Sequence, residues 1–288
     1  MMTTAAAWPD RHLHVIDLPY CFSSWALDDP ENTALWFSEG GDLLAWAVMQ
    51  LPFWTVDIVC DPAYMQKLYP EILEWVDRCA VRMLDTPGGH PTWFVNIFAD
   101  QKDRIFDLDA AGYVSQGDAP DHWSKVWMQY QPAHQNQGGT LPEGFIIRPL
   151  QGLDEVEAYV DLHCSVFESK NMTTAWRRRT LQQDGYLPDL DLVVTSPDGS
   201  LVAFCICWLG EVSGVLCGQI EPMGVSQTFR GQGLGKAILS EGLRRLCEKA
   251  AKKIFVETDY FRNAALSLYE SSGFQVRRDV LVYRKDFD

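Results

Sequence analysis

The sequence predicts an α+β fold in which a mixed sheet is flanked by helices, and three observations carry that expectation. Short apolar runs rich in β-branched and aromatic residues alternate with segments whose apolar residues recur at helical spacing. One such run, residues 215–225, leads through Arg230-Gly231-Gln232-Gly233-Leu234-Gly235 into an amphipathic segment that reaches about Lys249. The polar, glycine-containing stretch from Gln131 to Thr140 has no apolar periodicity, reads as a linker, and divides the chain nearly in half.

After that linker the elements follow in a clear order. Phe145 to Leu150 reads as a strand, Leu153 to Phe167 as a helix, and a second helix starts at Thr173 or Thr174, either of which can cap it. Leu190 to Thr195 and Leu201 to Leu209 are strands joined by Ser196-Pro197-Asp198-Gly199, whose residue types suit a tight turn. The strand at 215–225, the glycine loop and its helix come next. Lys253 to Thr258 is a further strand, Ala264 to Ser271 a helix, and Val276 to Arg284 a last strand. The order is β-α-α-β-β-β-α-β-α-β.

Residues 41–114 repeat this layout faintly. Leu43 to Met49 and Trp54 to Val59 read as strands, a helix carries Ile72, Leu73 and Val76, Trp93 to Phe98 is a strand, and a short helix runs to Ala111-Gly112-Tyr113-Val114. Where the second half has its glycine loop, the first has Cys60-Asp61-Pro62-Ala63-Tyr64. That segment has no glycine, lacks an N–H at Pro62 and carries a negative charge at Asp61, so an anion would not be held there.

Composition narrows the function. The 288 residues are 47% hydrophobic and carry a net charge of -15, the mark of a folded globular protein whose charge repels nucleic acid and anionic membrane. Residues 1–137 hold 19 acidic and 7 basic side chains, residues 138–288 hold 20 and 17, so a polyanionic ligand meets less repulsion in the second half. No apolar run approaches the roughly 20 residues that span a bilayer, and no signal peptide stands at the N-terminus, which places the expected protein in the cytoplasm. The 8 cysteines form no Cys-x-x-Cys pair and the 6 histidines are dispersed; no metal site is expected. Cys205 and Cys207 read as small buried residues on one face of a strand.

A strand, a glycine loop and a helix N-terminus aim backbone N–H groups at one point, which is a binding place for phosphate. Arg230 and Lys236 add charge to it. The dinucleotide pattern fails, because a small residue is required where Lys236 stands; the P-loop pattern fails twice, at Arg230 and Ala237. A glycine turn that only packs the helix on the sheet is the alternative reading.

Arg230, Gly233 and Gly235 fill the acyl-CoA signature of the GNAT superfamily of N-acyltransferases, and Leu268-Tyr269-Glu270-Ser271-Ser272-Gly273-Phe274 resembles its later L-Y-x-x-x-G-F motif. The resemblance covers residues 145–288. It implies a tandem arrangement of two GNAT-like domains: residues 1–137 as a degenerate, non-catalytic copy and 145–288 as the catalytic one. It implies acetyl-CoA as co-substrate and no metal. It also implies pantetheine against the backbone of Met223, Gly224 and Val225, and pyrophosphate on the amides of Gly231, Gln232, Gly233, Leu234, Gly235 and Lys236. Tyr269 then stands near the coenzyme sulfur, as the acid that protonates the departing thiolate. Family members often carry Asn seven residues before this tyrosine; that position is Arg262 here, with Asn263 one residue later.

An amine nucleophile must lose a proton, and Glu221, late on the strand that enters the loop, is the candidate base. A solvated strand residue or a substrate contact is the other reading of Glu221; Glu257 and Asp259 are alternatives. The resemblance implies direct attack in a ternary complex, an oxyanion held by the Met223 amide, and an acceptor pocket shaped by Glu168 to Met172. Arg177-Arg178-Arg179 reads as a solvated helix face. The acceptor is expected to be a small-molecule amine, with a protein N-terminus, a lysine or an amino sugar left open; the protein is a monomer or homodimer. A coenzyme-A-binding regulatory module without turnover is the reading from a different class.

Overall fold

The computed structural model describes residues 1–86, 88–119, 122–132 and 138–288. Of the stretch read as a linker, residues 133–137 lie outside the described residues. The chain forms two compact units: unit 1 is Met1–Trp127, Thr258–Phe261 and Arg277–Asp288, and unit 2 is Met128–Glu257 and Arg262–Val276.

Unit 1 begins with two short helices, α1 (Met2–Ala7) and α2 (Leu18–Phe22), among 3-10 turns. None of these has the length to show periodicity, which is why residues 1–40 carry no assignment from sequence. The sheet of this unit pairs β1 (Thr33–Phe37) with β2 (Leu43–Gln50) and β2 with β3 (Thr55–Cys60), antiparallel throughout; β3 meets β4 (Thr92–Phe98) in parallel at Thr55↔Phe94. Helix α3 (Met65–Met83) forms because Leu68, Tyr69, Ile72, Leu73, Val76, Ala80 and Met83 recur every three or four residues and all are buried against the sheet. Helix α4 (Lys102–Ala110) and the two-residue β5 (Val114–Ser115) follow. Asp61, in the segment that replaces a glycine loop, accepts a hydrogen bond from the Ala63 amide at 2.8 Å, so its own carboxylate takes an N–H that an anion would need.

Strand β6 (Ser124–Tyr130) follows, and unit 2 then begins in earnest with β7 (Ile146–Pro149), α5 (Val156–Phe167) and α6 (Thr174–Thr180). Thr173 caps α6, its hydroxyl accepting from the Trp176 amide at 3.1 Å. Strands β8 (Asp191–Thr195), β9 (Leu201–Val212) and β10 (Val215–Val225) form an antiparallel meander with β7 at its edge. Helix α7 (Leu234–Glu248), β11 (Lys253–Asp259), α8 (Asn263–Ser271) and β12 (Phe274–Asp286) complete the chain. Alternation along β9 sends Phe204 toward α5, where its ring lies 5.2 Å from Tyr159, and sends Cys205 and Cys207 toward α7. A Cβ on Gly242 of α7 would stand 2.8 Å from Cys207 Sγ, so glycine lets the helix lie close on the strand. The two thiols are 3.8 Å apart and buried. Residues 280–286 of β12 run antiparallel to β4 and belong to unit 1.

Candidate active site

Strand β10 is paired differently along its two halves. Its parallel register with β11 covers Cys217↔Lys253, Gly218↔Ile254 and Gln219↔Phe255 and then stops, although β10 runs on to Val225. On the other side, the register with β9 breaks at a bulge between Ile220 and Met223 and resumes at Met223↔Cys205, Gly224↔Phe204 and Val225↔Ala203. The bulge holds Glu221 and Pro222, joined by a cis peptide. Beyond Gln219, therefore, the β10 edge that faced β11 presents main-chain groups without β11 pairing. Such an edge can take an extended ligand that carries amides of its own.

The opening ends at the glycine loop. After a 3-10 turn at Gln227–Phe229, Gly231 and Gly233 take left-handed backbone with φ of +77° and +82°, which costs a residue with a side chain about 1–2 kcal/mol. A Cβ on Gly231 would meet nothing within 4 Å, so the space beside Gly231 is open, while one on Gly233 would stand 3.6 Å from Thr140 O. Gly233 is the N-cap of α7, and the first amide of this helix with a backbone acceptor is that of Ala237, which donates to Gly233 O at 3.0 Å. The amides of Leu234, Gly235 and Lys236 precede it and point out of the helix end. Arg230 is exposed and Lys236 half-buried at the same end. A Cβ on Gly235 would lie 3.5 Å from Val225, 3.9 Å from Met223 and 3.4 Å from Leu268, so β10, α7 and α8 converge here. Outward amides, a positive helix end, two cations and open space fit a pyrophosphate, and the open β10 edge fits an amide-bearing arm.

Residues 156–274 match the acetyltransferase (GNAT) family. That segment is a GNAT acetyltransferase domain. A GCN5-related N-acetyltransferase from Sphaerobacter thermophilus superposes with a TM-score of 0.65 at 21% identity, covering 91% of this chain and 83% of its own. A tandem GNAT protein from the clavulanic acid biosynthesis pathway superposes with a TM-score of 0.61 at 12% identity, covering 88% of this chain and 83% of its own. These establish the fold, tandem GNAT included. In sequence the chain is 28% identical over 149 residues to a mycothiol acetyltransferase of Propionibacterium freudenreichii subsp. shermanii, a match that covers 50% of this chain and 47% of that relative. The chain thus spans about half the length of this curated relative.

Within the GNAT fold the residues singled out from sequence fall as follows. Met223, Gly224 and Val225 line the open half of β10, and Arg230 to Lys236 form the loop below it. Glu221 is half-buried in the bulge, where its backbone oxygen accepts the Trp208 indole N–H at 2.7 Å. Tyr269 is buried on α8 with its ring 5.6 Å from Phe274. Burial first, and then the charge of Glu221, push the Tyr269 hydroxyl above its usual value, so it is held neutral with its proton in place. Glu257 is half-buried on β11 and Asn263 exposed at the start of α8. Asp259 belongs to unit 1, where it accepts the Trp123 indole N–H at 3.0 Å. Among the described residues no helix is long and apolar enough to cross a membrane.

One sequence expectation is overturned. Arg177 is no solvated side chain: it is fully buried, paired with the equally buried Asp191, and its guanidinium lies 3.8 Å over the Tyr159 ring. Tyr186 donates to the same Asp191 carboxylate at 2.8 Å. Only Arg178, one residue on, is exposed. The helical period explains the difference, since Trp176, Arg177 and Thr180 share the inward face of α6. Sequence reasoning also passed over Tyr159 and His163 on α5. Burial raises the Tyr159 hydroxyl above its usual value, the Arg177 charge opposes that, and the charges of Asp191 and Glu221 add to it. His163 packs on Phe204, and burial, aided by the Arg177 charge, lowers it to about 3, too weak a base to serve near neutrality.

Proposed function

We propose that this protein transfers the acetyl group of acetyl-CoA to the amine of a small-molecule acceptor, by direct attack in a ternary complex. The observation that carries the reading is the open half of β10, which runs straight into outward amides and two cations at the start of α7. Pantetheine would lie along Met223, Gly224 and Val225, and pyrophosphate on the amides from Gly231 to Lys236 with Arg230 alongside. Residues 145–288 form the catalytic domain in this reading, and residues 1–137 a degenerate copy that does not catalyse.

Each proposed role is one that the family resemblance implies and that the position of the side chain supports. Glu221, on the bulge at the mouth of the opening, accepts the ammonium proton of the acceptor, directly or through water, so that a neutral amine attacks the thioester carbon. The Met223 amide donates to the oxygen as it becomes an oxyanion. Tyr269, held neutral by burial and by Glu221, gives its proton to the sulfur as the carbon–sulfur bond breaks. The products are an N-acetylated amine and the free thiol. The acceptor class is the one in the relatives' name, and we assign the des-acetyl form of mycothiol as the first acceptor to assay.

The test is release of coenzyme A from acetyl-CoA, separated from the acceptor and quantified by liquid chromatography, in the presence of des-acetyl mycothiol and of unrelated amines such as an amino sugar and a lysine peptide. Acceptor-dependent coenzyme A release greatest with des-acetyl mycothiol is the expected result. Release with a different amine would replace the acceptor and leave the mechanism; binding of acetyl-CoA without release for any amine would make the protein a coenzyme-A-responsive module.

A further inference from the structure

Unit 1 contains a cluster of metal-ligating side chains that has no part in acyl transfer. His14 Nδ1, a carboxylate oxygen of Asp17 and Cys21 Sγ lie within 4.8 Å of one another, with His14 Nδ1 3.0 Å from Asp17 Oδ2. The local fold brings them together. Asp17 is the N-cap of α2 and Cys21 stands four residues on, one turn above it on the same face, while His14 precedes the helix by one turn of chain.

Asp17 behaves unlike an ordinary cap. It makes no capping hydrogen bond, and the second helical position is Pro19, which has no N–H to give. The side chain is fully buried, and its Oδ1 has no hydrogen-bond partner among the described residues. A buried carboxylate oxygen left in that state has lost its hydration with nothing in return. A cation bound between Asp17, His14 and Cys21 would make good that loss.

The donor set and the spacing select the ion. Imidazole nitrogen, carboxylate oxygen and thiolate sulfur together suit zinc, whose ligand distances of about 2.0–2.3 Å place tetrahedral donors about 3.3–3.8 Å apart. The 3.0 Å between His14 Nδ1 and Asp17 Oδ2 lies just below that range and all three donors lie within 4.8 Å of one another, so small side-chain rotations complete the site. One thiolate and one carboxylate balance the charge of a divalent ion. The next layer holds the site in place: His12 Nδ1 accepts the His14 backbone N–H at 3.1 Å, and Asp57, 3.5 Å from His12 Nε2, is itself held by Gln50 at 2.8 Å.

We propose that His14, Asp17 and Cys21 bind a zinc-class divalent ion that fastens the N-terminal segment of unit 1. Sequence gave no sign of it, because the ligands are not in Cys-x-x-Cys spacing and include an aspartate. The full chain, stripped with chelator and titrated with Co²⁺, should take up one equivalent and show a thiolate-to-cobalt charge-transfer absorption. C21S should abolish that absorption and D17N weaken Co²⁺ binding at least tenfold, while C60S, at another buried cysteine of unit 1, keeps both. On the native chain, Zn²⁺ should protect Cys21 from alkylation, located by mass spectrometry, and raise the unfolding temperature. Absence of the charge-transfer absorption in the native chain, its persistence in C21S, or alkylation of Cys21 unchanged by Zn²⁺ would overturn the proposal. The native-chain labelling decides the matter even if C21S does not fold.

Discussion

The buried pair of Arg177 with Asp191 sets up a prediction whose size follows from geometry. Both side chains are fully buried, and Asp191 has Arg177 and Tyr186 as its hydrogen-bond donors. Arg177→Ala leaves a carboxylate in the interior without its counter-charge and removes the cation stacked on Tyr159. Breaking a buried pair from one side costs about 3–5 kcal/mol. At about 2–4 °C per kcal/mol for a chain of this size, the melting temperature should fall by about 6–20 °C. Arg178→Ala, at the exposed neighbour, should change stability by no more than about 0.5 kcal/mol. Replacing both partners at once, with Arg177→Met and Asp191→Leu, should recover much of the loss, because no unpaired charge is then buried. Calorimetric or circular-dichroism melting reads all three variants. Equal, small shifts for Arg177→Ala and Arg178→Ala would refute the reasoning and return Arg177 to the helix surface.

The site makes further predictions. Tyr269→Phe should lower kcat by about a hundredfold or more while acetyl-CoA affinity stays within threefold, read by coenzyme A release and by calorimetry, since only the proton is removed. Glu221→Gln should lower kcat in the same range, and partial recovery with an acceptor of lower amine pKa would mark it as the base. His163, lowered to about 3 by burial, stays neutral in the folded protein while the unfolded chain takes up a proton below about 6.5. The unfolded state then binds more protons as pH falls, so stability present above pH 6.5 is lost below it. The loss is about 2 kcal/mol at pH 5, and denaturant melts of His163→Phe should lack that part of the slope.

Most of the elements near the site could be read locally. The turn at Ser196-Pro197-Asp198-Gly199 places Gly199 at φ +87°, and the Asp198 carboxylate accepts the Ser200 amide, as those residue types require. Thr173 caps α6, and Gly231 and Gly233 take the backbone that only glycine adopts freely. What was not legible depends on partners distant in sequence. The point at which β10 leaves β11 is set by pairing across more than thirty residues, and the bulge at Glu221 and Pro222 interrupts a run that reads as unbroken strand. Arg177 looked like one cation of three because its partner, Asp191, stands on another element. Residues 276–284 read as the final strand of the second half, yet residues 280–286 pair with β4. In residues 1–40 the helical turns are too short for any period to appear.

The central claim is that the loop from Arg230 to Lys236 holds the pyrophosphate of acetyl-CoA, and calorimetric titration of the full chain with acetyl-CoA tests it most directly. Native protein should bind one equivalent. An Arg230→Glu, Gly233→Glu variant should bind at least about a hundredfold more weakly, because each lost charge-assisted contact removes about 1.5–3 kcal/mol. Undiminished affinity in a folded variant, or no binding by the native chain, would contradict the account.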